Sequence, residues 1–380
     1  MAERTTSVPS GVAADLPEKL RRLGDVARER GVDELVLRDP ATLGWLLGAR
    51  THVPQTLDTA CLDMVVHCGD GQPSLTVVTN VIEAPRLRDT ELAGLEAEWV
   101  AVPWWDDRAV RLPRGPRVGW DRPVPGTGSA DVGPALTAVR RVLTATQQQR
   151  LRELCADATA ATVEAAHAVT PATTAYETAG LLAERLLARA ADPVVLLVGG
   201  GEAPFRHPLP TTAPVGPRAM LVCCARRHGL VASVTRVVAL RPLQPRHHDA
   251  YRRLLDVERV FLDASMVGAR LGDVVRAGTQ AYADHGFEPA EWHRHHQGGL
   301  SGLSPREYPA GPAADDVLTA GNVVAWNPSA DGWKVEDTSL VCGASADLPA
   351  GAAGAEPLDR SPDWPVIDVG GRLRPDVLVR

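Results

Sequence analysis

Histidines in two short segments are the side chains of this chain best suited to chemistry. His207 lies in the sequence FRHPLPT, and further histidines lie in the run Trp292-His-Arg-His-His296. A neutral imidazole can take a proton from water or an amine and later return it. It can also bind a metal, although the run has no Cys or Asp partner at ligand spacing. In a strand, His293 and His295 would share one face and His296 the other, which favours a solvated edge with one pocket histidine.

The segment VCCARRHGLVASVTRV, residues 222–237, predicts two strands joined by a turn at His228-Gly229. It contains no Asp or Glu. Cys223 and Cys224 are adjacent in its first strand, so their side chains should point to opposite faces. Burial of both thiols in the core is one interpretation, because free cysteines behave as small apolar residues. The other is that one thiol faces a pocket and serves as a metal ligand.

The composition limits the class of protein. The chain has 380 residues, of which 44% are hydrophobic, enough for two domains with sizeable cores. A net charge of −7 without a dominant basic cluster argues against nucleic-acid binding. The N-terminal sequence lacks an apolar signal region, and no apolar run reaches transmembrane length. We therefore expect a cytoplasmic protein that binds neither nucleic acid nor membranes.

Hydrophobic periodicity and turn residues divide the chain into segments that must position these histidines. Strand signals lie at Glu34–Arg38, Leu62–His67, Ser74–Thr79 and Arg117–Trp120, and helix signals at Leu16–Arg30, Pro40–Leu47, Thr144–His167, Thr174–Ala190 and, as one helix, about Pro245–Gln280. A stretch rich in Pro and Gly follows the last of these strands. The predicted division is a flexible N-terminus (1–14), an α/β domain (15–122), a linker region (123–143) and a second domain (144–380).

Four motifs in this order resemble the pita-bread hydrolases, which include creatinase, prolidase, aminopeptidase P and methionine aminopeptidase. They are FRHPLPT, the strand pair ending in Ser233-Val-Thr-Arg236, the segment His295-His-Gln-Gly-Gly-Leu300, and AGNVVAWNP followed by KVEDTSLV. The resemblance covers nearly the whole chain. It implies an α/β (α+β) protein with a creatinase/prolidase-like N-terminal domain and a C-terminal pita-bread domain. It also implies a homodimer.

The resemblance implies that most metal ligands are missing. The metallopeptidases bind two metal ions with two Asp, one His and two Glu. The matching positions here are Val222 (or Cys223), Ser233, His296, Asn327 and Glu336. Two divalent cations close together need several anionic oxygens, so we expect no dinuclear metal centre and no cofactor. A single zinc held by His296, Glu336 and a thiolate of Cys223 or Cys224 is the alternative.

The remaining residues resemble the site of creatinase, which works without metal. His207 matches its acid/base histidine, and His296 and Glu336 would position the substrate or the attacking water. Thr235 stands where creatinase carries a second Glu, so we do not expect guanidinium recognition. The predicted substrate contacts are Arg206, Arg306, Glu307, Ser233, Thr235 and Asn327. Arg306 could bind an acidic substrate terminus or make a structural contact with Glu307.

The predicted function is therefore a hydrolase or lyase of creatinase type. It would act, without metal, on a C–N or similar polar bond of a small polar metabolite, with specialised metabolism as one setting. A catalytically inactive pita-bread module that binds a peptide or small ligand is the first alternative, since a fold can outlive its activity. The second is a hydrolase similar to aminopeptidase P or prolidase with an altered single-metal site.

Overall fold

The computed structural model describes residues 14–53, 59–69, 71–201, 205–342 and 354–380. It divides into two compact units. The first runs through Arg140 and includes Arg227–Leu230, and the second comprises Arg141–Arg226 and Val231–Arg380. The flexible N-terminus predicted at 1–14 lies outside the described residues up to residue 13.

The first unit is a six-stranded mixed sheet with helices. Its strands are β1 (Glu34–Leu37), β2 (Leu62–His67), β3 (Ser74–Asn80), β4 (Glu98–Val102), β5 (Val118–Trp120) and β6 (Ala130–Asp131), and its helices are α1 (Leu16–Arg30), α2 (Pro40–Leu47), α3 (Glu83–Asp89) and α4 (Gly133–Arg140). The strand order is β4-β3-β2-β1-β5-β6. Gly31 ends α1 in the left-handed conformation with φ 66°, which glycine adopts readily because it has no Cβ.

The segment predicted as a linker, 123–143, carries regular structure. Strand β6 pairs with β5 in parallel register, and α4 follows it directly. Residues through Arg140 group with the first unit. Pro and Gly in this stretch therefore form turns between short elements, and the composition alone did not separate these turns from a linker.

The described part of the second unit holds an eight-stranded sheet and four α-helices. Its helices are α5 (Ala145–Ala168), α6 (Ala175–Leu187), α7 (Pro245–Ala264) and α8 (Leu271–Asp284), and its strands are β7 (Asp192–Gly200), β8 (Arg218–Arg227), β9 (Leu230–Ala239), β10 (Gly298–Ser301), β11 (Val323–Trp326), β12 (Ser329–Ala330), β13 (Trp333–Lys334), β14 (Asp337–Val341), β15 (Ala355–Pro357), β16 (Val366–Val369), β17 (Arg372–Pro375) and β18 (Leu378–Val379). Six of its strands follow the order β10-β11-β14-β9-β8-β7, while β15 pairs with β14 and β18 with β9.

Local sequence explains where these elements begin and turn. Thr144 and Thr174 cap α5 and α6 through capping boxes with Gln147 and Glu177, each of which is typically worth about 1 kcal/mol. The predicted hairpin is present as β8 and β9. His228 and Gly229 form its turn with φ of 55° and 77°, the positive values that suit a tight hairpin.

The helix predicted from Pro245 to Gln280 is wrong, because the structure has α7 and α8 there. The Ser265 hydroxyl donates to the carbonyl of Phe261 at 2.8 Å, and Gly268 adopts a φ of 88°. A side chain that competes for backbone groups and a left-handed glycine both favour a helix end. Helix α7 packs an apolar face on the sheet, where Phe261 stacks on Trp326 with ring centroids 4.8 Å apart, and α8 packs against α7.

Among the described residues, no helix combines the length and the apolar composition that crossing a bilayer requires.

Candidate active site

Three imidazoles in the second unit form the centre of the site. His207 Nε2 lies 3.1 Å from His295 Nε2, and the centroid of the His296 ring lies 5.5 Å from that of His207 and 4.7 Å from that of His295. His207 is exposed, His295 is buried and His296 is half-buried. A ligand can therefore reach the cluster from the side of His207.

The backbone around residue 295 brings two neighbouring histidines together. Residues Glu291–Arg294 form a 3-10 turn, and β10 begins only at Gly298. The prediction of a strand that sends His295 and His296 to opposite faces is therefore wrong. His295 Nδ1 lies 3.0 Å from Ser329 Oγ, which fixes the orientation of the ring. Gly298 follows with φ 104°, and a Cβ there would lie 2.1 Å from the carbonyl oxygen of Ala325.

All three imidazoles favour the neutral form. Burial and then the positive charge of Lys334 lower the pKa of His295 to about 2. Burial and then Arg306 lower the pKa of His296 to about 4. Burial and Lys334 also lower the pKa of His207, while Glu336 opposes them. The cluster therefore has lone pairs available at neutral pH.

Glu336 is buried beside these imidazoles and is held by two cations. Lys334 Nζ lies 2.7 Å from its Oε2, and an Arg306 guanidinium nitrogen donates to its Oε1. The three side chains expose 3%, 4% and 12% of their surface for Glu336, Lys334 and Arg306, respectively, so solvent screens these pairs little. Burial raises the pKa of Glu336, but the attraction of Lys334 and Arg306 outweighs it and the pKa falls to about 2. Glu336 is thus a permanent carboxylate at pH 7.

The neighbouring carboxylate, Asp337, belongs to a different network. It pairs with Arg236 at 2.6 Å and with Arg374 at 2.7 Å, and Arg374 also binds Glu258. All four side chains are buried. Adjacent residues of an extended chain point to opposite sides, so the site and this ion network share one stretch of backbone.

Three of the predicted substrate contacts, Ser233, Thr235 and Asn327, are buried. Thr235 Oγ1 donates to Glu336 Oε2 at 3.3 Å, and Ser233 Oγ lies 3.4 Å from Cys224 Sγ. Asn327 is 2% exposed, and its Oδ1 is buried without a hydrogen-bond partner in the described part of the chain. Thr235 therefore supports Glu336, whereas Asn327 retains an acceptor for a ligand.

The other two predicted substrate contacts are Arg206 and Glu307. The Arg206 guanidinium donates to the buried Glu291, which also binds Arg294 at 2.9 Å. The Glu307 backbone N–H donates to the carbonyl of Leu300 at 2.9 Å, which holds this segment against β10. The guanidinium of Arg306 pairs with the carboxylate of Glu336.

The residues do not fit a pair of metal ions of the kind that the resembled metallopeptidases bind. Val222, Ser233 and Asn327 supply no carboxylate, and both oxygens of Glu336 already bind protein cations. The predicted zinc site with a thiolate is also not formed. Cys223 Sγ faces Thr162 at 3.5 Å, while Cys224 faces Ser233, and burial raises both thiol pKa values. Their opposite directions confirm the prediction for adjacent strand residues.

A different set of ligands is present. Among the described residues, His207, His295 and His296 form the one group whose ligand atoms all lie within 4.8 Å of one another. Three imidazoles with an open position are a known arrangement for catalytic zinc. The positive charges of Lys334 and Arg306 nearby disfavour a divalent cation there.

Sequence reasoning missed His295 and Lys334. The signal for Lys334 is present in the sequence, because it is one of only two lysines and stands two residues before Glu336, on the same face of an extended chain. The sequence gives no signal for His295, because a short 3-10 turn such as the one before it produces no hydrophobic periodicity.

Comparisons with known proteins support the fold. Residues 149–360 match the model of metallopeptidase family M24. The dipeptidase PepE from Mycobacterium ulcerans is 19% identical with a TM-score of 0.72, and the match covers 97% of this chain and 99% of PepE. The prolidase from Pyrococcus horikoshii OT3 is 14% identical with a TM-score of 0.72, covering 90% of this chain and 98% of the prolidase. At these identities the likeness concerns the fold.

A curated relative matches over a shorter segment. The dipeptidase-like protein YkvY of Bacillus subtilis (strain 168) is 26% identical over 115 residues. The matched segment is 29% of this chain and spans about a third, 31%, of the length of YkvY.

Proposed function

Since this chain belongs to metallopeptidase family M24 and has its pita-bread fold, we propose that it is a hydrolase or lyase that works without the family's pair of metal ions. Its substrate is a small polar metabolite, and the reaction breaks a C–N or similar polar bond. Cytoplasmic location and a homodimeric state are part of this proposal, and sedimentation of the purified protein tests the latter.

One observation carries the proposal. The carboxylate of Glu336 gives one oxygen to Lys334 and the other to Arg306. A carboxylate in this state has no oxygen left to bridge two divalent ions, and adding them would place four cationic centres around one anion. The proton transfers of the proposed reaction are then carried out by the imidazoles.

His207 is the proposed acid/base. It is exposed to an incoming ligand, and its lowered pKa keeps the ring neutral and able to accept a proton. Its Nε2 faces His295 Nε2 at 3.1 Å, and His295 is oriented by Ser329. In the proposed tautomers, His295 donates from Nδ1 to Ser329 and accepts the Nε2 proton of His207, so Nδ1 of His207 is the free base. The proton then returns from that nitrogen to the leaving amine.

His296 and Glu336 are the proposed positioning groups. Nδ1 of His296 is buried without a partner among the described residues, which leaves it to hydrogen-bond a substrate or the attacking water. Glu336 remains charged because its pKa is about 2, so it cannot donate a proton at neutral pH. Glu336 contributes to the site electrostatically, because it holds the side chains of Lys334 and Arg306 in place.

The test is turnover of small C–N substrates by the purified protein and by His207→Ala, with circular dichroism to confirm that both are folded. Turnover by the wild type that His207→Ala abolishes supports the proposal. Equal turnover by both proteins would contradict the role of His207. Ligand binding without turnover by the wild type would indicate a non-catalytic module.

The three-imidazole cluster supports a second candidate, a hydrolase with a single metal ion. The observation in its favour is that one nitrogen of each of His207, His295 and His296 lies within 4.8 Å of the others. Elemental analysis separates the two candidates. Near-stoichiometric zinc, manganese or iron that His295→Ala removes would favour the metal enzyme, and full turnover in the presence of a chelator would favour the metal-independent one.

A further inference from the structure

The loop that carries His207 is fixed to the fold on both sides of that residue. On one side, Pro208 is buried and its carbonyl accepts the N–H of Val198 in β7 at 3.1 Å. On the other side, the guanidinium of Arg206 donates to the carboxylate of Glu291. His207 itself is exposed between these two attachments, so they determine the position of its backbone.

Glu291 belongs to the segment that presents the other two histidines of the cluster. It begins the 3-10 turn Glu291–Arg294, which ends directly before His295. The carboxylate of Glu291 also binds Arg294 at 2.9 Å, within the same turn. One carboxylate therefore joins the loop of His207 to the turn that precedes the two adjacent histidines.

The two cations bound to Glu291 differ in their exposure to solvent. The side chains of Arg206 and Glu291 expose 20% and 6% of their surface, respectively, whereas Arg294 is 63% exposed. Solvent and salt screen a shielded ion pair much less than an exposed one. Loss of Arg206 would leave the Glu291 carboxylate buried with only its solvated partner, so the contact with Arg206 is the main attachment.

The hydrogen bond between two imidazoles depends on this attachment. His207 Nε2 lies 3.1 Å from His295 Nε2, and the two ring centroids are 4.8 Å apart with an angle of 76° between the planes. A separation of about 3.6 Å is no longer a hydrogen bond, so a displacement of about 0.5 Å is enough to break it. Ser329 orients His295 from the other side, which makes the loop of His207 the part whose position must be fixed.

We infer that Glu291 is a positioning residue for the proposed reaction. Through Arg206 it holds the imidazole of His207 against that of His295, and this contact leaves Nδ1 of His207 as the base. The inference rests on the proposed function, since it concerns the acid/base role of His207. It also gives Arg206 a role other than the predicted substrate contact, because the guanidinium is directed to Glu291.

Four variants of the full chain test the inference. Glu291→Gln and Arg206→Met each remove the ion pair, whereas Arg206→Lys keeps a positive charge at the same position. Arg294→Met is the matched control, because it removes the exposed partner of the same carboxylate and leaves Arg206 in place. Circular dichroism and thermal unfolding identify the folded variants. If Glu291→Gln does not fold, Arg206→Met decides, since its side chain is the more exposed of the pair.

The measurement is NMR of protein labelled with ¹⁵N in the histidine rings. The proton shared by His207 and His295 should give an N–H signal that exchanges slowly with water, and its loss in His207→Gln and in His295→Gln assigns it. Exchange of this proton should become about tenfold faster or more in Glu291→Gln and in Arg206→Met, because the hydrogen bond between the rings opens. The signal should persist in Arg206→Lys and in Arg294→Met. With a known substrate, the first two variants should lower kcat about tenfold at unchanged KM.

An unchanged exchange rate in folded Glu291→Gln or Arg206→Met would overturn the inference, as would the absence of the shared proton from the wild type. Equally fast exchange in Arg294→Met would overturn it too, because any disturbance of the turn would then have the same effect. The NMR signal is independent of turnover. If the signal depends on Glu291 while His207→Ala keeps full turnover, the attachment is supported and the acid/base role of His207 is contradicted.

Discussion

Lys334 Nζ lies 2.7 Å from Glu336 Oε2, on the same face of one extended stretch of chain. Arg306 donates to the other carboxylate oxygen, so two cations hold one buried anion. The positive charge of Lys334 also contributes to the lowered pKa of His295 and of His207.

Glu336→Gln should strongly destabilise the second unit. The substitution leaves Lys334 and Arg306 buried without their counter-ion, and breaking a buried ion pair in this way typically costs about 3–5 kcal/mol. The free energy of unfolding in urea measures the effect. Glu288→Gln is the control, because that carboxylate is 54% exposed in its pair with Arg294 and should change stability by less than about 0.5 kcal/mol. A Lys334→Met/Glu336→Gln double variant less destabilised than Glu336→Gln would confirm the coupling, and additive losses would contradict it.

His207→Gln should lower kcat about 100- to 10,000-fold once a substrate is known, because the general base is lost. The matched control is His293→Gln. His293 is exposed and lies three residues before His296, but it is not a member of the three-imidazole cluster. Comparable rates for the two variants would show that His207 is not the proton acceptor.

The imidazole of His207 should titrate below its ordinary pKa of 6.5, since burial and the positive charge of Lys334 oppose protonation. Activity that depends on neutral His207 should therefore stay constant near pH 7 and fall only in more acidic solution. Lys334→Met removes a positive charge, so the pKa of His207 should rise toward 6.5 and the acid limb should move to higher pH. NMR titration of the ring, or kcat/KM against pH, measures this shift. A limb that does not move would show that Lys334 has no electrostatic contact with His207.

Gly298→Ala should displace the strand that follows the histidines. The residue has φ 104°, and a Cβ would lie 2.1 Å from the carbonyl oxygen of Ala325 in β11. We expect a loss of about 1–3 kcal/mol of stability together with lower activity. Gly311→Ala is the control, since nothing lies within 4 Å of its Cβ position. Thermal unfolding of both variants is the measurement, and an equal melting temperature would contradict the close strand approach.

In the second unit, the sequence predicted those helix starts and turns that depend on a few neighbouring residues. Thr144 and Thr174 begin helices because their side chains cap them, and the His228-Gly229 turn follows from its two residues. The single helix through Ser265 was wrong because the apolar period continues across the break. Its end is determined by one hydroxyl and one glycine.

The candidate site was predictable only in part. The order of the motifs predicted His207, His296 and Glu336 as site residues. In the structure the charge of Glu336 affects the pKa of both His207 and His296. The sequence could not place Arg306 on Glu336, since these residues are thirty positions apart and meet through tertiary packing. The contribution of His295 depends on an irregular turn, which hydrophobic periodicity does not describe.

The buried ammonium of Lys334 also has a consequence for evolution. A lineage that acquired carboxylates at Ser233 and Asn327 would still have Glu336 paired with Lys334 and Arg306, so each single step would add an anion without creating a metal site. Loss of Lys334 first would leave Glu336 with one cation and a weaker fold. A metal site at Glu336 would therefore require coordinated substitutions at several positions, and no single substitution on the way would bind a metal or leave the fold as stable.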